Sequence, residues 1–460
     1  MRVAWDNLAE PADGAMAALS GYALAAGSVR TASTFLLVRE ARCCAAHAPA
    51  GPAGAVEVFA AQPIAVRTGF LRLAGQWRVR TDDPTGWRYQ LHDARPADPP
   101  GWQSVTRRRA IMAGPLMCLG VATGAASPED SAAAARAVIG GTAAIDLHSH
   151  AGNIASERRI RAGSDFSAIA APMRQGGMAA ICLAVVTDST THRVVDGRIR
   201  PYRDPAAGEL YNYGMLAFER VHQLVKTEGL RIVATASDLT AATSSKPSVI
   251  IASEGADFLE GRLDRVDESY RRWTLRHLQL THYRVNELGD IQTEPPVHGG
   301  LTDFGAKVIR RCNRLGIVVD VAHGTLDLVK RAALVSTKPL ILSHTSMAAR
   351  PGPHSRQISP EHAKVIAGTG GVIGVWPVGN IYPNFNAMAV GMARLADVVG
   401  VDHVGLGTDL RGLVGASAIK DYNELPLLAE ALLGAGFSQQ DAGKILGGNY
   451  ARVFAASLAL

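Results

Sequence analysis

From residue 143 to residue 409 the chain repeats one pattern eight times: a short apolar run, then a longer amphipathic stretch. The runs occupy residues 143–150, 179–186, 247–254, 277–282, 317–323, 340–344, 371–376 and 403–409. Helix-like segments fall between them, among them 301–315, 326–334, 360–369 and 387–399. Strands alternating with helices of this length build a parallel sheet, and eight such units match an α/β fold of the (β/α)8 TIM-barrel type. A doubly wound open sheet is the alternative, but the glycine-rich phosphate turn that it carries after its first strand is missing here.

The ends of the runs carry the chemistry. In a (β/α)8 barrel functional residues sit at the C-terminal ends of the strands. Here those ends read His148-Ser-His150, Ser253-Glu-Gly255, Thr281-His282, Ala322-His323, Ser343-His344 and Thr408-Asp409. Side chains alternate along a strand, so His148 and His150 share a face, about 7 Å apart. Each ending alone has an ordinary explanation: a residue beside a helix cap, a buried hydrogen-bonding histidine, a turn aspartate. No structural need places imidazoles and carboxylates at so many equivalent positions, and a metal centre accounts for all of them. Nitrogen with carboxylate oxygen and no thiolate suits zinc. The groups at these six ends exceed what one catalytic zinc takes, and a carboxylate-bridged pair is the more natural arrangement.

Composition narrows the classes further. Of 460 residues, 47% are hydrophobic and 19% charged, and the formal charge of +6 is small for that length. No Lys/Arg stripe interleaved with aromatics is present, which argues against a nucleic-acid partner. The five cysteines, Cys43, Cys44, Cys118, Cys182 and Cys312, form no CxxC and imply neither a disulfide framework nor a thiolate zinc site.

Residues 1–105 are rich in Ala, Gly, Pro and Arg and show no sustained period of 2 or 3.6. They are expected to be a poorly structured extension, with the natural start assigned too far upstream; a small extra domain is the alternative. Residues 106–127 open on Thr106-Arg-Arg-Arg109, continue with an apolar centre and end on small residues. That layout is signal-like, of the twin-arginine type, and predicts an exported, periplasmic or cell-surface protein. An internal apolar helix, with a cytoplasmic protein, is the alternative. Cys118 lacks the preceding small residue of a lipidation site. Residues 128–142 then read as a linker before a barrel at 143–460.

The barrel residues resemble the membrane dipeptidase family of binuclear zinc peptidases, within the amidohydrolase-like barrels. The resemblance spans about residues 143–456 and rests on linked motifs: Ile145-Asp-Leu-His-Ser-His150, Ser253-Glu-Gly255, Leu278-Gln-Leu-Thr-His-Tyr-Arg-Val-Asn286, Gly300-Leu-Thr-Asp-Phe-Gly305, Asn313-Arg-Leu-Gly-Ile-Val-Val-Asp-Val-Ala-His323, Leu342-Ser-His-Thr-Ser346, Val404-Gly-Leu-Gly-Thr-Asp409 and Gly447-Gly-Asn-Tyr-Ala-Arg-Val-Phe454. It implies two zinc ions per chain. His148 and His150 would hold the first, Glu254 would bridge both, and His323 with His344 would hold the second. Asp409 would take a proton from the attacking water and pass it to the leaving amine. His282 would contact the substrate carbonyl or tetrahedral oxyanion. Arg356 would pair with the terminal carboxylate, with Arg350 as competitor because Gln357 stands where the family usually has Asn. Trp376 and Tyr382, in the loop after the seventh strand, are candidates to line the pocket, against plain loop packing.

Two departures bear on function. His150 replaces the aspartate of the family's usual H-x-D, which leaves the metal pair one unit more positive, although H-x-H is usual in the wider amidohydrolase-like barrels. Arg411 stands where the family commonly has a second acid, and a cation there would favour a second substrate carboxylate. The expected activity is hydrolysis of a dipeptide or similar small amide. Alternatives are a non-dipeptide amide, lactone or cyclic substrate, or an inactive metal-binding homologue. A homodimer is compatible with the sequence.

Overall fold

The computed structural model describes residues 15–24, 31–38, 55–65, 70–79, 89–96, 128–163 and 166–459. The chain divides into two compact units, residues 1–122 and 123–460. The signal-like stretch 106–127 and Cys43, Cys44 and Cys118 lie outside the described residues.

In the first unit five strands close into a small barrel in the order β1-β2-β3-β5-β4: β1 (Met16–Leu24), β2 (Thr31–Val38), β3 (Ala55–Ala65), β4 (Phe70–Val79) and β5 (Tyr89–Pro96). Neighbours run antiparallel except β3 with β5. Along β4, buried Leu73, Gly75 and Trp77 alternate with half-buried Ala74, Gln76 and Arg78, the period of two of a half-buried strand. Trp77 stacks on Tyr89 with ring centroids 5.5 Å apart. The described part of residues 1–105 is therefore strand, in contrast to the expected poorly structured extension. The signal is faint in sequence because the alternation is short and small residues such as Ala74 and Gly75 contribute little to it.

The second unit holds β6 (Ala144–Ser149), β7 (Met178–Val186), a hairpin of β8 (His192–Val195) and β9 (Arg198–Pro201), the short β10 (Arg231–Ile232), and then β11 (Ser248–Glu254), β12 (Leu275–Gln279), β13 (Val318–Asp320), β14 (Ile341–Thr345), β15 (Val372–Val375) and β16 (Val404–Leu406). Eight of these, β6-β7-β11-β12-β13-β14-β15-β16, run parallel in ring order, with β10 attached to β11. All eight runs read from the sequence are barrel strands. Every residue of these strands is buried, as expected when helices cover one face and the barrel interior the other. The ring closes through the turn after β16: His150 N–H donates to Leu410 O at 2.9 Å and Asp409 N–H to His148 O at 2.9 Å.

Small residues set the strand spacing at one crowded point. A Cβ on Gly374 would stand 1.7 Å from Ser343 O, and one on Gly407 1.8 Å from the same atom. The helices between strands start on side-chain caps that the sequence supplies: Thr302 accepts from Gly305 N–H, Thr325 from Leu328 N–H, and Ser359, followed by Pro360, from His362 N–H. The expected linker at 128–142 is instead the helix Pro128–Gly141, with Glu129 and Asp130 in its first turn and Ala135 and Val138 buried. Its alanine content and N-terminal acids favour helix once there is a surface for those residues to pack on. Gly447-Gly-Asn, read as a turn and cap, is a kink before the helix Asn449–Leu458. Asn449 donates from Nδ2 to Val401 O and Val404 O, both at 2.8 Å, and so ties the last helix to β16. Among the described residues no helix is long and apolar enough to cross a membrane.

Candidate metal centre

The strand ends converge on Glu254, the last residue of β11. Five imidazoles point Nε2 at its carboxylate. His148 at 3.3 Å, His323 at 3.3 Å and His344 at 3.4 Å face Oε1, while His150 at 3.1 Å and His282 at 3.2 Å face Oε2. His150 Nε2 also lies 3.4 Å from Asp409 Oδ1. The histidines approach one another as closely: His148 and His150 Nε2 atoms are 3.2 Å apart, those of His323 and His344 3.1 Å. All are buried.

The strands fix this geometry from beneath. Asp146, one turn of the pleat below His148, accepts from Thr408 N–H at 2.8 Å, Thr408 Oγ1 at 2.5 Å, Tyr422 OH at 2.7 Å and His148 N–H at 3.2 Å. That one carboxylate pins the first strand to the turn carrying Asp409. Burial pushes it up to about 6 against the pull of those donors, Thr408 first. Asp320, on β13, does the same for β14, accepting from Ala322 and Ser343 N–H.

The donor set fits a cation. His150 donates from Nδ1 to Ala184 O at 2.8 Å and His282 from Nδ1 to Asp188 Oδ1 at 2.7 Å. A neutral ring so engaged has only a lone pair on Nε2, and that lone pair faces carboxylate oxygen. Acceptors facing acceptors at 3.1–3.2 Å need a cation or extra protons between them. Asp409 Oδ1 is buried and accepts no hydrogen bond. Burial drives His323 and His344 well below the ordinary imidazole range, assisted by Arg356 and, for His344, by His148. Both are therefore neutral, as metal ligands must be. For His150, burial disfavours charge but Glu254 and Asp409 outweigh it and push the ring up to about 10. A proton and any metal ion would thus compete for its Nε2.

A family model for the membrane dipeptidases (peptidase family M19) matches residues 134–459. The chain belongs to the membrane dipeptidase family. Among curated relatives, Dipeptidase aclJ of Aspergillus oryzae is 31% identical over 219 residues, covering 45% of this chain and 50% of that protein. Dipeptidase 3 of Homo sapiens is 28% identical over 237 residues, covering 49% and 48%. The chain spans about half the length of these curated relatives. Two solved structures share the fold. An amidohydrolase from Pseudomonas aeruginosa superposes with TM-score 0.58 at 21% identity, over 70% of this chain and 99% of that one. A metallo peptidase from Rhodobacter sphaeroides, liganded with a phosphinate mimic of L-Ala-D-Ala, gives TM-score 0.59 at 19% identity, over 69% and 99%.

In this member of the membrane dipeptidase family a cavity of about 480 Å³ opens over the histidines. Arg356 lines it, buried, with Nη1 donating to Gln292 Oε1 at 2.6 Å, Nη2 to His344 O at 3.3 Å, and its guanidinium 5.2 Å from the Trp376 ring centroid. Its Nε has no partner. Arg350, the competitor, is exposed and does not line the cavity. Trp376 lines it, 5.7 Å from the His344 ring. Tyr382 does not: it belongs to the core cluster and packs over Gly391, where a Cβ would stand 2.4 Å from its ring. The loop turns Asn380 and Ile381 to the cavity instead. Arg411 is exposed and absent from the cavity wall, because its φ of 69° turns the chain there and leaves Gly412, Leu413 and Val414 facing inward. The second-carboxylate cation expected at Arg411 is therefore not at the cavity.

Several residues of the site were not singled out from the sequence. His192 and Arg198, on the β8–β9 hairpin, line the cavity, as do Tyr283 and His354. Asp188, two residues past β7, lies behind His282. Its position after a strand end was the one available signal. The hairpin offered none, since its short polar strands lack an apolar period.

Proposed function

We propose that this protein is a metal-dependent dipeptidase that hydrolyses the amide bond of a dipeptide or similar small amide, using two zinc ions per chain. The observation that carries this reading is the carboxylate of Glu254 faced by five imidazole Nε2 atoms within 3.4 Å. His148 and His150 would hold one ion, His323 and His344 the other, with Glu254 between them. Such a pair supplies an activated water and polarises the scissile carbonyl.

The chain's own groups supply the rest. Asp409, whose buried Oδ1 accepts no hydrogen bond, would take the water's proton and return it to the leaving amine. His282 presents Nε2 to the same site, where, carrying a proton, it donates to the oxyanion. Arg356 lines the cavity and is held by Gln292, and a guanidinium there suits capture of a terminal carboxylate. A cavity of about 480 Å³ lies in the range of small-ligand sites. His150, where the family usually has aspartate, favours a second reading, a cyclic or otherwise non-dipeptide amide.

Elemental analysis combined with turnover of Gly-D-Ala, L,L-dipeptides and cyclic amides tests both. About two zinc ions per chain with chelator-sensitive dipeptide cleavage is expected. Arg356→Lys should then raise KM about 10- to 100-fold with little change in kcat, the loss of one charge-assisted bidentate contact. Fewer than one ion per chain, with no dipeptide turnover, would sink the assignment. Turnover of cyclic amides alone would select the second reading.

A further inference from the structure

His282 is held from behind by a carboxylate that no ligand or substrate role requires. Asp188 is fully buried. Its Oδ1 accepts Nδ1–H of His282 at 2.7 Å and its Oδ2 accepts the backbone N–H of Tyr283 at 3.1 Å. His192 Nδ1 lies 3.2 Å from the same Oδ1, and its ring stands edge-on to that of His282 with centroids 5.3 Å apart. His282 itself sits three residues beyond the end of β12, so no strand ladder fixes its ring. A histidine on such a turn has two ring orientations and two tautomers available, and the partner of the far nitrogen selects among them.

We infer that Asp188 is a positioning residue that fixes the ring orientation of His282 through its Nδ1–H, so that Nε2 stays turned toward Glu254 and the reacting carbonyl. Two hydrogen bonds to adjacent positions, one to the ring and one to the next backbone N–H, define the ring plane as one alone could not. The kinetic consequence rests on the dipeptidase reading; the ring geometry does not.

Asp188→Asn separates the two. An amide has one acceptor, and if it serves Tyr283 N–H its NH2 faces His282 Nδ1. Donor then faces donor, and the ring loses the bond that orients it. We expect kcat to fall about 10²- to 10⁴-fold, as when a catalytic histidine loses the carboxylate that orients it. KM should change less than about threefold, because the contact is made in the transition state. Zinc content should be unchanged, since Asp188 is no ligand. Long-range ¹H–¹⁵N spectra of the zinc-loaded wild-type protein, with the His282 signal assigned by its absence in His282→Asn, should show Nδ1 protonated. This second measurement stands if the Asp188→Asn protein does not fold. A bare Nδ1 in the wild type, or wild-type kcat in Asp188→Asn, overturns the inference. If the wild-type protein cleaves no dipeptide, the dipeptidase reading fails while the spectra still decide the role of Asp188.

Discussion

His323 and Asp409 hold φ angles of 68° and 49° although neither is glycine. A left-handed conformation costs a non-glycine residue about 1–3 kcal/mol, and it persists where surrounding bonds over-determine it. Gln292 N–H to His323 O at 2.8 Å and Gly412 N–H to Asp409 O at 3.0 Å supply such bonds. The strain turns both side chains back over the barrel mouth. Buried His362 shows how the site's charge reaches its surroundings: burial, then the Arg356 guanidinium, pull its imidazole from 6.5 down to about 4. The unfolded chain therefore binds a proton below pH 6.5 that the folded chain refuses until about pH 4. Stability is complete above that window and lost as pH falls through it, by about 2–3 kcal/mol. Urea unfolding of metal-free protein at pH 7 and pH 4.5 should show this loss, and His362→Leu should reduce it by that amount. An unchanged difference would place the titration elsewhere. At this scale Glu254 and the four histidines His148, His150, His323 and His344 were legible as candidates because each ends an apolar run. Asp188 was not, since an aspartate near a turn has many commoner explanations.

Strand ends in the sequence are only approximate ends in space. His282, His323 and Asp409 each lie three residues beyond β12, β13 and β16. The apolar runs nevertheless pointed to them, because the buried character of the chain continues past the last ladder hydrogen bond. Tyr382 and Arg411 went the other way, since loop residues obey no period that would tell which side faces the cavity. The β14–β15–β16 layer depends on glycine at positions 374 and 407 flanking Ser343 O. Gly374→Ala should push β14 and β15 apart below His344, destabilising the protein by about 1–3 kcal/mol or more. Because His344 is the next residue after Ser343, the zinc content should fall as well. Thermal melts with elemental analysis check this, and an unaltered melt with two ions bound would contradict it.

For the whole molecule, the imidazoles and carboxylates gathered at one end are a cost that a cation repays. Bound metal at 100 times its Kd stabilises by about 2.7 kcal/mol per site. Two sites on a unit of this size correspond to a shift in Tm of about 8 °C. Chelation should lower Tm by this order and zinc should restore it, read by scanning calorimetry; a Tm indifferent to both would argue against tight metal binding. The sequence by itself determined the barrel and singled out the imidazoles and carboxylates that gather at its mouth, because strand burial and polar strand ends leave local, periodic marks. Tertiary structure alone decided that Arg356 rather than Arg350 meets the cavity, that Tyr382 packs inward, and that Asp188 backs His282. Those outcomes depend on how loops of no fixed period fold over the barrel mouth, and contacts across about 94 residues, as between Asp188 and His282, leave no local trace in the chain.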